Sequence, residues 1–259
     1  MTINKSTSDF ILTEGPWKNR TLYELYSQAY TPYEWHKEIF DFAKHIGITI
    51  FSSPFDESAV DLLKSLNSPA YKIASFEIID LPLISYIAKT KKPILMSTGM
   101  ASEKEVGEAI EIAKSSGCKK LGIFHCISSY PTPIEEANLR AILKLKKEFG
   151  IHVGLSDHTL GNTASIVAIS LGATIIEKHF TLSRADGGVD SAFSSEPKEM
   201  KRLVGDINSA YLALGTKKKI RSKCEIPNKA FRRSIYFIKD IKKNELITKK
   251  HIKRIRPGL

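Results

Sequence analysis

Cysteine is scarce in this chain: its 259 residues hold three, Cys118, Cys126 and Cys224, an odd number at wide spacing. They form neither a metal motif nor a disulfide framework. No apolar run reaches the roughly 18 residues that a membrane helix needs. Met1 to Leu12 are polar and contain no signal-peptide core. A reducing cytoplasm, with no membrane partner, is the expectation for such a chain. Two short motifs are also missing. No G-x-G-x-x-G turn follows the first candidate strand, which argues against an open nucleotide-binding sheet. No serine lies in a G-x-S-x-G elbow, which argues against a hydrolase nucleophile. Internal repeats and low-complexity segments are absent too.

What remains is the composition of a globular protein, 42% hydrophobic and 26% charged. At roughly 150 residues per domain, the length suits one large domain, or one large and one small. Acidic residues are outnumbered, 28 to 39, giving a formal charge of +11. Much of the excess gathers in 217–233 and 239–256. Such runs usually form solvated faces, and an anionic small molecule suits the remainder. No nucleic-acid-binding motif accompanies the charge, so nucleic acid is not an expected partner.

From about residue 20, short β-rich apolar runs alternate with segments of helical period. Strands are predicted over 48–54, 70–75, 93–99, 121–128, 152–157 and 174–180. Helices are predicted over 102–116, 135–149 and 163–171. Gly117, Gly150 and Gly172 follow helical runs and suit their C-terminal caps. This alternation predicts a parallel sheet covered by helices. Polar residues end every candidate strand, as in barrels whose sites are built from strand ends. The expected fold is therefore α/β, a (β/α)8 TIM-type barrel with only about six of its eight strands in view. Residues 1–215 form this incomplete barrel. A linker over 216–226 leads to a small β-rich module over 227–259, with short strands at 234–238, 246–247 and 252–255.

The strand ends carry the chemistry. His158 and His179 end neighbouring strands, and two imidazoles with oxygen ligands and water suit Mn²⁺, Fe²⁺, Co²⁺ or Zn²⁺. Alternatively, both are rim residues satisfied by hydrogen bonds. Lys72 lies within a predicted central strand, where burial is costly unless it is paired. It binds an anion, forms a Schiff base, or pairs with an acid such as Glu77. Ser75, Ser97, Ser128 and Ser156 end successive strands. Hydroxyls, strand-end N–H groups and a lysine make a phosphate site without a P-loop. Asp190 closes a Gly-rich acidic loop, suited either to hydroxyl contact and proton transfer or to a plain solvated turn.

Five segments, taken together, carry a family resemblance. They are Tyr71-Lys72-Ile73-Ala74-Ser75, Met96-Ser97-Thr98-Gly99-Met100, His125-Cys126-Ile127-Ser128-Ser129-Tyr130-Pro131, Gly154-Leu155-Ser156-Asp157-His158-Thr159 and Glu177-Lys178-His179-Phe180-Thr181. In order and spacing they resemble the sialic acid synthase family, whose members condense phosphoenolpyruvate with an amino sugar to give a nine-carbon keto acid and phosphate. Tyr30-Thr31-Pro32-Tyr33-Glu34-Trp35-His36, Ser75-Phe76-Glu77-Ile78 and the run from Arg184 to Ser194 are most similar to the branch that makes pseudaminic acid. That branch implies 2,4-diacetamido-2,4,6-trideoxy-β-L-altropyranose as the sugar. The N-acetylneuraminate and legionaminate branches are the nearest alternatives.

The resemblance implies a role for each residue. His158 and His179 would ligate a divalent metal (Mn²⁺, Mg²⁺ or Co²⁺), which acts as a Lewis acid on the open-chain sugar aldehyde. Lys72, Ser75, Ser97 and Ser156 would hold phosphoenolpyruvate. Ser128 stands where sialic acid synthases carry an asparagine. Glu77 and Asp190 would act at the sugar and the reacting centre, beside Tyr130 at the sugar. Attack by C3 of phosphoenolpyruvate, addition of water at C2 and loss of phosphate by C–O cleavage complete the reaction. Lys72 is then electrostatic, because phosphoenolpyruvate has no free ketone for a Schiff base. A keto-acid aldolase using that Schiff base is the competing chemistry. Arg256 would be inserted by a partial antifreeze-like (SAF) domain into a partner's active site, implying a swapped homodimer.

The family also has a segment before the stretch that Met1-Thr2-Ile3 resembles. It supplies two barrel strands, with Glu-Ile-Gly and Lys-Phe-Gln runs that nothing here matches. The expectation is a truncated gene product, with exposed strand edges and little or no activity. A non-catalytic remnant is the corresponding alternative.

Overall fold

The computed structural model describes residues 8–216, 218 and 220–256. The Met1-Thr2-Ile3 stretch, Lys217 and Lys219 of the charged connector, and Pro257-Gly258 lie outside them. The chain forms two compact units, one ending at Leu214 and one starting at Gly215.

The first unit is built on five parallel strands in sequence order: β1 (Tyr71–Ile73), β2 (Ile94–Ser97), β3 (Leu121–Cys126), β4 (His152–Asp157) and β5 (Ile176–Lys178). Helices α1 (Leu22–Ala29), α2 (His36–His45) and α3 (Glu57–Ser65) precede β1. Then α4 (Leu81–Ala88), α5 (Glu103–Ser115), α6 (Ala141–Phe149) and α7 (Thr163–Ser170) connect successive strands, and α8 (Pro197–Leu214) follows β5. This is the expected barrel-type β/α alternation.

Side chains alternate across the strands. Tyr71, Ile73, Ile94, Met96, Ile123, Val153 and Leu155 pack in one core with Leu63, Ile84, Val106, Ile110, Ile142 and Ala164 of the helices. The opposite parity, namely Lys72, Ser97, Phe124, Cys126, Ser156 and Glu177, faces inward. Gly154 shares that inner face because the Phe124 ring lies across it; a Cβ there would stand 2.8 Å from the ring and 2.6 Å from the Ile175 carbonyl.

In this unit, sequence expectation and structure differ at two places. The strand expected over 48–54 is reduced to one bridge, Ser52 with Tyr71. Lys72 N–H bonds the Ser52 carbonyl at 3.1 Å. The next rung needs an N–H from residue 54, which is proline and has none. The helix expected over 135–149 splits into a 3-10 turn (Ile134–Glu136) and α6, because Asn138 takes φ +42° between them. α5 keeps its expected bounds, since Ser102 and Glu105 form a capping box.

The second unit pairs β6 (Ser234–Phe237) with β7 (Ile252–Ile255) in antiparallel register. Leu246 and Ile247, expected as a strand, lie in a loop at 81% and 55% exposure. Two apolar residues cannot hold a strand without a ladder partner. None of the described residues of this unit is buried.

Candidate active site at the strand ends

Lys72 anchors the inner face. Its residue is 7% exposed, and its Nζ donates to Ser97 Oγ at 2.7 Å and to the Ile73 carbonyl at 3.3 Å. Nζ also stands 5.5 Å from the centroid of the Phe124 ring. Its ion-pair partner is Glu177, with Oε1 3.6 Å away, rather than the Glu77 suggested by proximity in sequence. Alternation explains this. Glu177 shares the inward parity of β5, whereas Glu77 sits in a 3-10 turn (Ser75–Ile79) beyond the end of β1. Ser156 Oγ donates to the same Glu177 Oε1 at 2.7 Å, so lysine, acid and two strand-end serines form one network.

Ser75 and Ser128 meet at Gly99. A Cβ on Gly99, whose φ is +39°, would lie 2.4 Å from Ser75 Cβ and 2.8 Å from Ser128 Oγ. Glycine is required there by both conformation and space. Ser75 Oγ contacts Cys126 Sγ at 3.3 Å. Ser128 Oγ and Glu77 Oε2 are buried without a hydrogen-bond partner. Leaving such groups unsatisfied costs roughly 1–3 kcal/mol each, which marks a place where a polar ligand restores the bonds. Burial raises the Glu77 carboxyl above its ordinary value, and burial followed by the Glu77 charge raises the Tyr26 phenol.

The histidines come next. His158 is 8% exposed, and its Nδ1–H donates to the Ile127 carbonyl at 2.8 Å. That bond leaves Nε2 with a lone pair, 3.4 Å from Ser156 Oγ. Burial lowers the affinity of His158 for a proton and favours the neutral ring. His179 Nδ1 lies 3.5 Å from Asp190 Oδ2. The two imidazole centroids are 5.3 Å apart. Tyr130 packs 4.3 Å from His158 and 5.7 Å from His179. Its phenol is pushed up to about 12 by burial, and then by the nearby Cys126, Asp190, Glu177 and Glu77. It therefore remains a hydroxyl donor.

Among the described residues no three His, Cys, Asp or Glu side chains form a ready metal-ligand group. The donor set fits an open site: two imidazoles, one with its tautomer fixed, and the remaining positions filled by water or substrate oxygen. It does not fit a closed structural site.

The structure thus gathers Lys72, Ser97, Ser156, His158, His179, Tyr130 and Asp190, with Ser75, Ser128 and Glu77 beside them. Arg256 belongs to the second unit, where it is exposed after β7. Three contributors escape the sequence reading. Glu177 was legible in principle, two residues before His179 and so on the same face of β5. Phe193 packs 5.1 Å from His179. Trp17 reaches Tyr130 across more than a hundred residues, which no local pattern signals.

Polar and ionisable groups gathered at the carboxyl ends of parallel strands define an α/β barrel-type enzyme site. The chain belongs to the NeuB family, whose model matches residues 1–219. It is 45% identical to the pseudaminic acid synthase of Helicobacter pylori, covering 100% of this chain and 76% of that protein. It is 42% identical to the N,N'-diacetyllegionaminic acid synthase of Campylobacter jejuni, covering 86% of this chain and 68% of that one. Among solved structures, the N-acetylneuraminic acid synthetase of Leptospira borgpetersenii, crystallised with citrate, superposes with a TM-score of 0.76 at 31% identity, over 81% of this chain and 73% of that one.

Proposed function

We propose that this protein condenses phosphoenolpyruvate with 2,4-diacetamido-2,4,6-trideoxy-β-L-altropyranose, giving pseudaminic acid and phosphate. The observation that carries the reading is Lys72: a buried ammonium bonded to a serine hydroxyl, with its nearest carboxylate no closer than 3.6 Å. A cation so incompletely neutralised suits an anionic ligand. Identity to the Helicobacter synthase over the full chain supports the choice of sugar.

Lys72, Ser97 and Ser156 offer the charge and hydroxyls that bind phosphate and carboxylate. Ser75 and Ser128 extend that cradle. Glu77, with an unbonded buried oxygen, accepts a hydroxyl of the sugar. Tyr130 donates its protonated hydroxyl beside the histidines, and Asp190 receives or returns a proton near His179. A divalent cation held by His158 and His179 would supply Lewis-acid polarisation of the sugar carbonyl. Lys72 acts through its charge, because phosphoenolpyruvate presents no ketone for an imine. The chain's +11 charge steers the anionic substrate inward. No helix among the described residues is long and apolar enough to cross a membrane. Arg256, from the small C-terminal unit, completes the site of a second copy in a homodimer.

The test is phosphate release from phosphoenolpyruvate by the purified chain with Mn²⁺, offered the altrose sugar, the legionaminate precursor or N-acetylmannosamine. Release with the altrose sugar alone establishes the proposed branch and overturns the expectation of little or no activity in this chain. Release with one of the other sugars instead reassigns the branch. Release with none overturns the synthase reading for this chain and leaves the remnant. Borohydride trapping of a keto acid on Lys72 would establish the aldolase chemistry instead.

A further inference from the structure

Trp17 lies far from every candidate strand and outside every motif, yet it touches the site. The segment that carries it folds back on itself: Leu12 N–H bonds the Arg20 carbonyl at 2.9 Å, and Asn19 N–H bonds the Leu12 carbonyl at 2.8 Å. At its turn, the indole Nε1–H donates to the Val189 carbonyl at 3.0 Å. The indole ring also sits 5.7 Å from Tyr130 and 6.3 Å from Phe193, the latter edge-on.

Val189 is the residue before Asp190, in a loop that needs holding. Gly187 takes φ +71°, Gly188 follows it, and residues 185–188 are exposed. Consecutive glycines make such backbone costly to order. On its other side, Ser194 Oγ donates to the Asp190 carbonyl at 2.7 Å. Asp190 is therefore pinned from two directions, and its carboxylate lies 3.5 Å from His179. The described contacts of Trp17 run to the histidine side of the site, and none runs to the Lys72 network.

We propose that Trp17 is a positioning residue for the acceptor-sugar end of the site: its indole N–H fixes the Val189–Asp190 backbone, and its ring braces Tyr130 and Phe193 over the two histidines. This rests on the synthase reading above, which assigns that end to the sugar.

The test uses the full chain with Trp17→Phe, which keeps an aromatic ring and removes the N–H donor, and Trp17→Ala, which removes both. Losing one such bond corresponds to about a tenfold effect. Amide hydrogen exchange over residues 186–191 should therefore quicken by about tenfold in Trp17→Phe while β1 to β4 keep their protection. In steady-state assays the KM for 2,4-diacetamido-2,4,6-trideoxy-β-L-altropyranose should rise by about tenfold, and that for phosphoenolpyruvate by less than about twofold. Trp17→Ala should exaggerate the sugar effect alone. In a Trp35→Phe background, where Trp17 is the remaining tryptophan, the sugar should change the fluorescence and phosphoenolpyruvate should not. Unchanged exchange in 186–191, or equal rises in both KM values, overturns the proposal. Absence of phosphate release by the wild-type chain defeats the synthase reading instead, and the tether then stands or falls on exchange alone.

Discussion

Two buried lysines, Lys72 and Lys178, stand on opposite faces of the same sheet. Lys178 faces the helices. Its Nζ lies 3.0 Å from Asp157 Oδ2 and donates to the Thr159 carbonyl at 2.7 Å. Asp157 Oδ2 also accepts from Ser165 of α7 at 2.6 Å, while Oδ1 accepts the Thr159 N–H and hydroxyl. The side chains of the pair are 4% and 0% exposed, so the charges are closed off and matched. Lys72 faces inward, bonds a hydroxyl, and meets its acid only at 3.6 Å, with the Glu177 side chain 39% exposed. The same residue type is thus structural on one face of the sheet and available on the other. The difference lies in whether the partner charge is sealed with it.

The outer pair also explains why the inner residues stand where they do. Asp157 lies between Ser156 and His158, and Lys178 lies between Glu177 and His179. Tying the outer parity of β4 to that of β5 holds the inner parity in register.

Four substitutions or conditions sharpen this contrast. The largest expected effect is at the inner face. His158→Ala should weaken Mn²⁺ binding by more than about 100-fold, beyond the cost of losing an outer partner. Equilibrium dialysis showing unchanged affinity would remove His158 from the ligand set. At the outer face, Lys178→Met strands Asp157 as a buried unpaired charge and should cost about 3–5 kcal/mol of stability. Adding Asp157→Asn should recover part of that in urea unfolding; full additivity of the two losses would break the pairing. Ser165→Ala removes one charge-assisted bond and should cost about 1.5–3 kcal/mol, with substrate KM values unchanged. The smallest effect is with pH. His125 is buried with Nε2 2.8 Å from the Ala137 carbonyl, and burial lowers its proton affinity. The unfolded chain then binds the proton more readily, so stability should fall as pH drops below about 6.5 and level off below the folded-state value. His125→Gln should flatten that slope; identical slopes would discard the explanation.

Much of this was legible in the sequence, for physical reasons. Strand–helix alternation gave the barrel-type sheet, because period 2 and period 3.6 are written into the burial pattern. Lys72 was legible as a charge inside a strand, and Ser97, Ser156 and His158 as polar residues at strand ends. Pairing was not. Nothing local distinguishes Glu77 from Glu177 as the acid beside Lys72, since the choice depends on which strands are neighbours. Residues 48–54 have strand composition, yet one proline removes the donor that would extend the ladder. Trp17 depends on a fold-back of the chain that leaves no periodic trace.

The most direct measurement sets the two lysines side by side: phosphoenolpyruvate binding by calorimetry and the thermal midpoint, for Lys72→Met and Lys178→Met. Lys72→Met should lose phosphoenolpyruvate binding by about 10²–10³-fold, the scale of a lost charge in a preorganised site. Its midpoint should hold, because the exposed Glu177 stays hydrated. Lys178→Met should lower the midpoint sharply and keep binding where it remains folded. A Lys72→Met protein that binds phosphoenolpyruvate as tightly as wild type would show that the inward-facing ammonium is not the anion's partner.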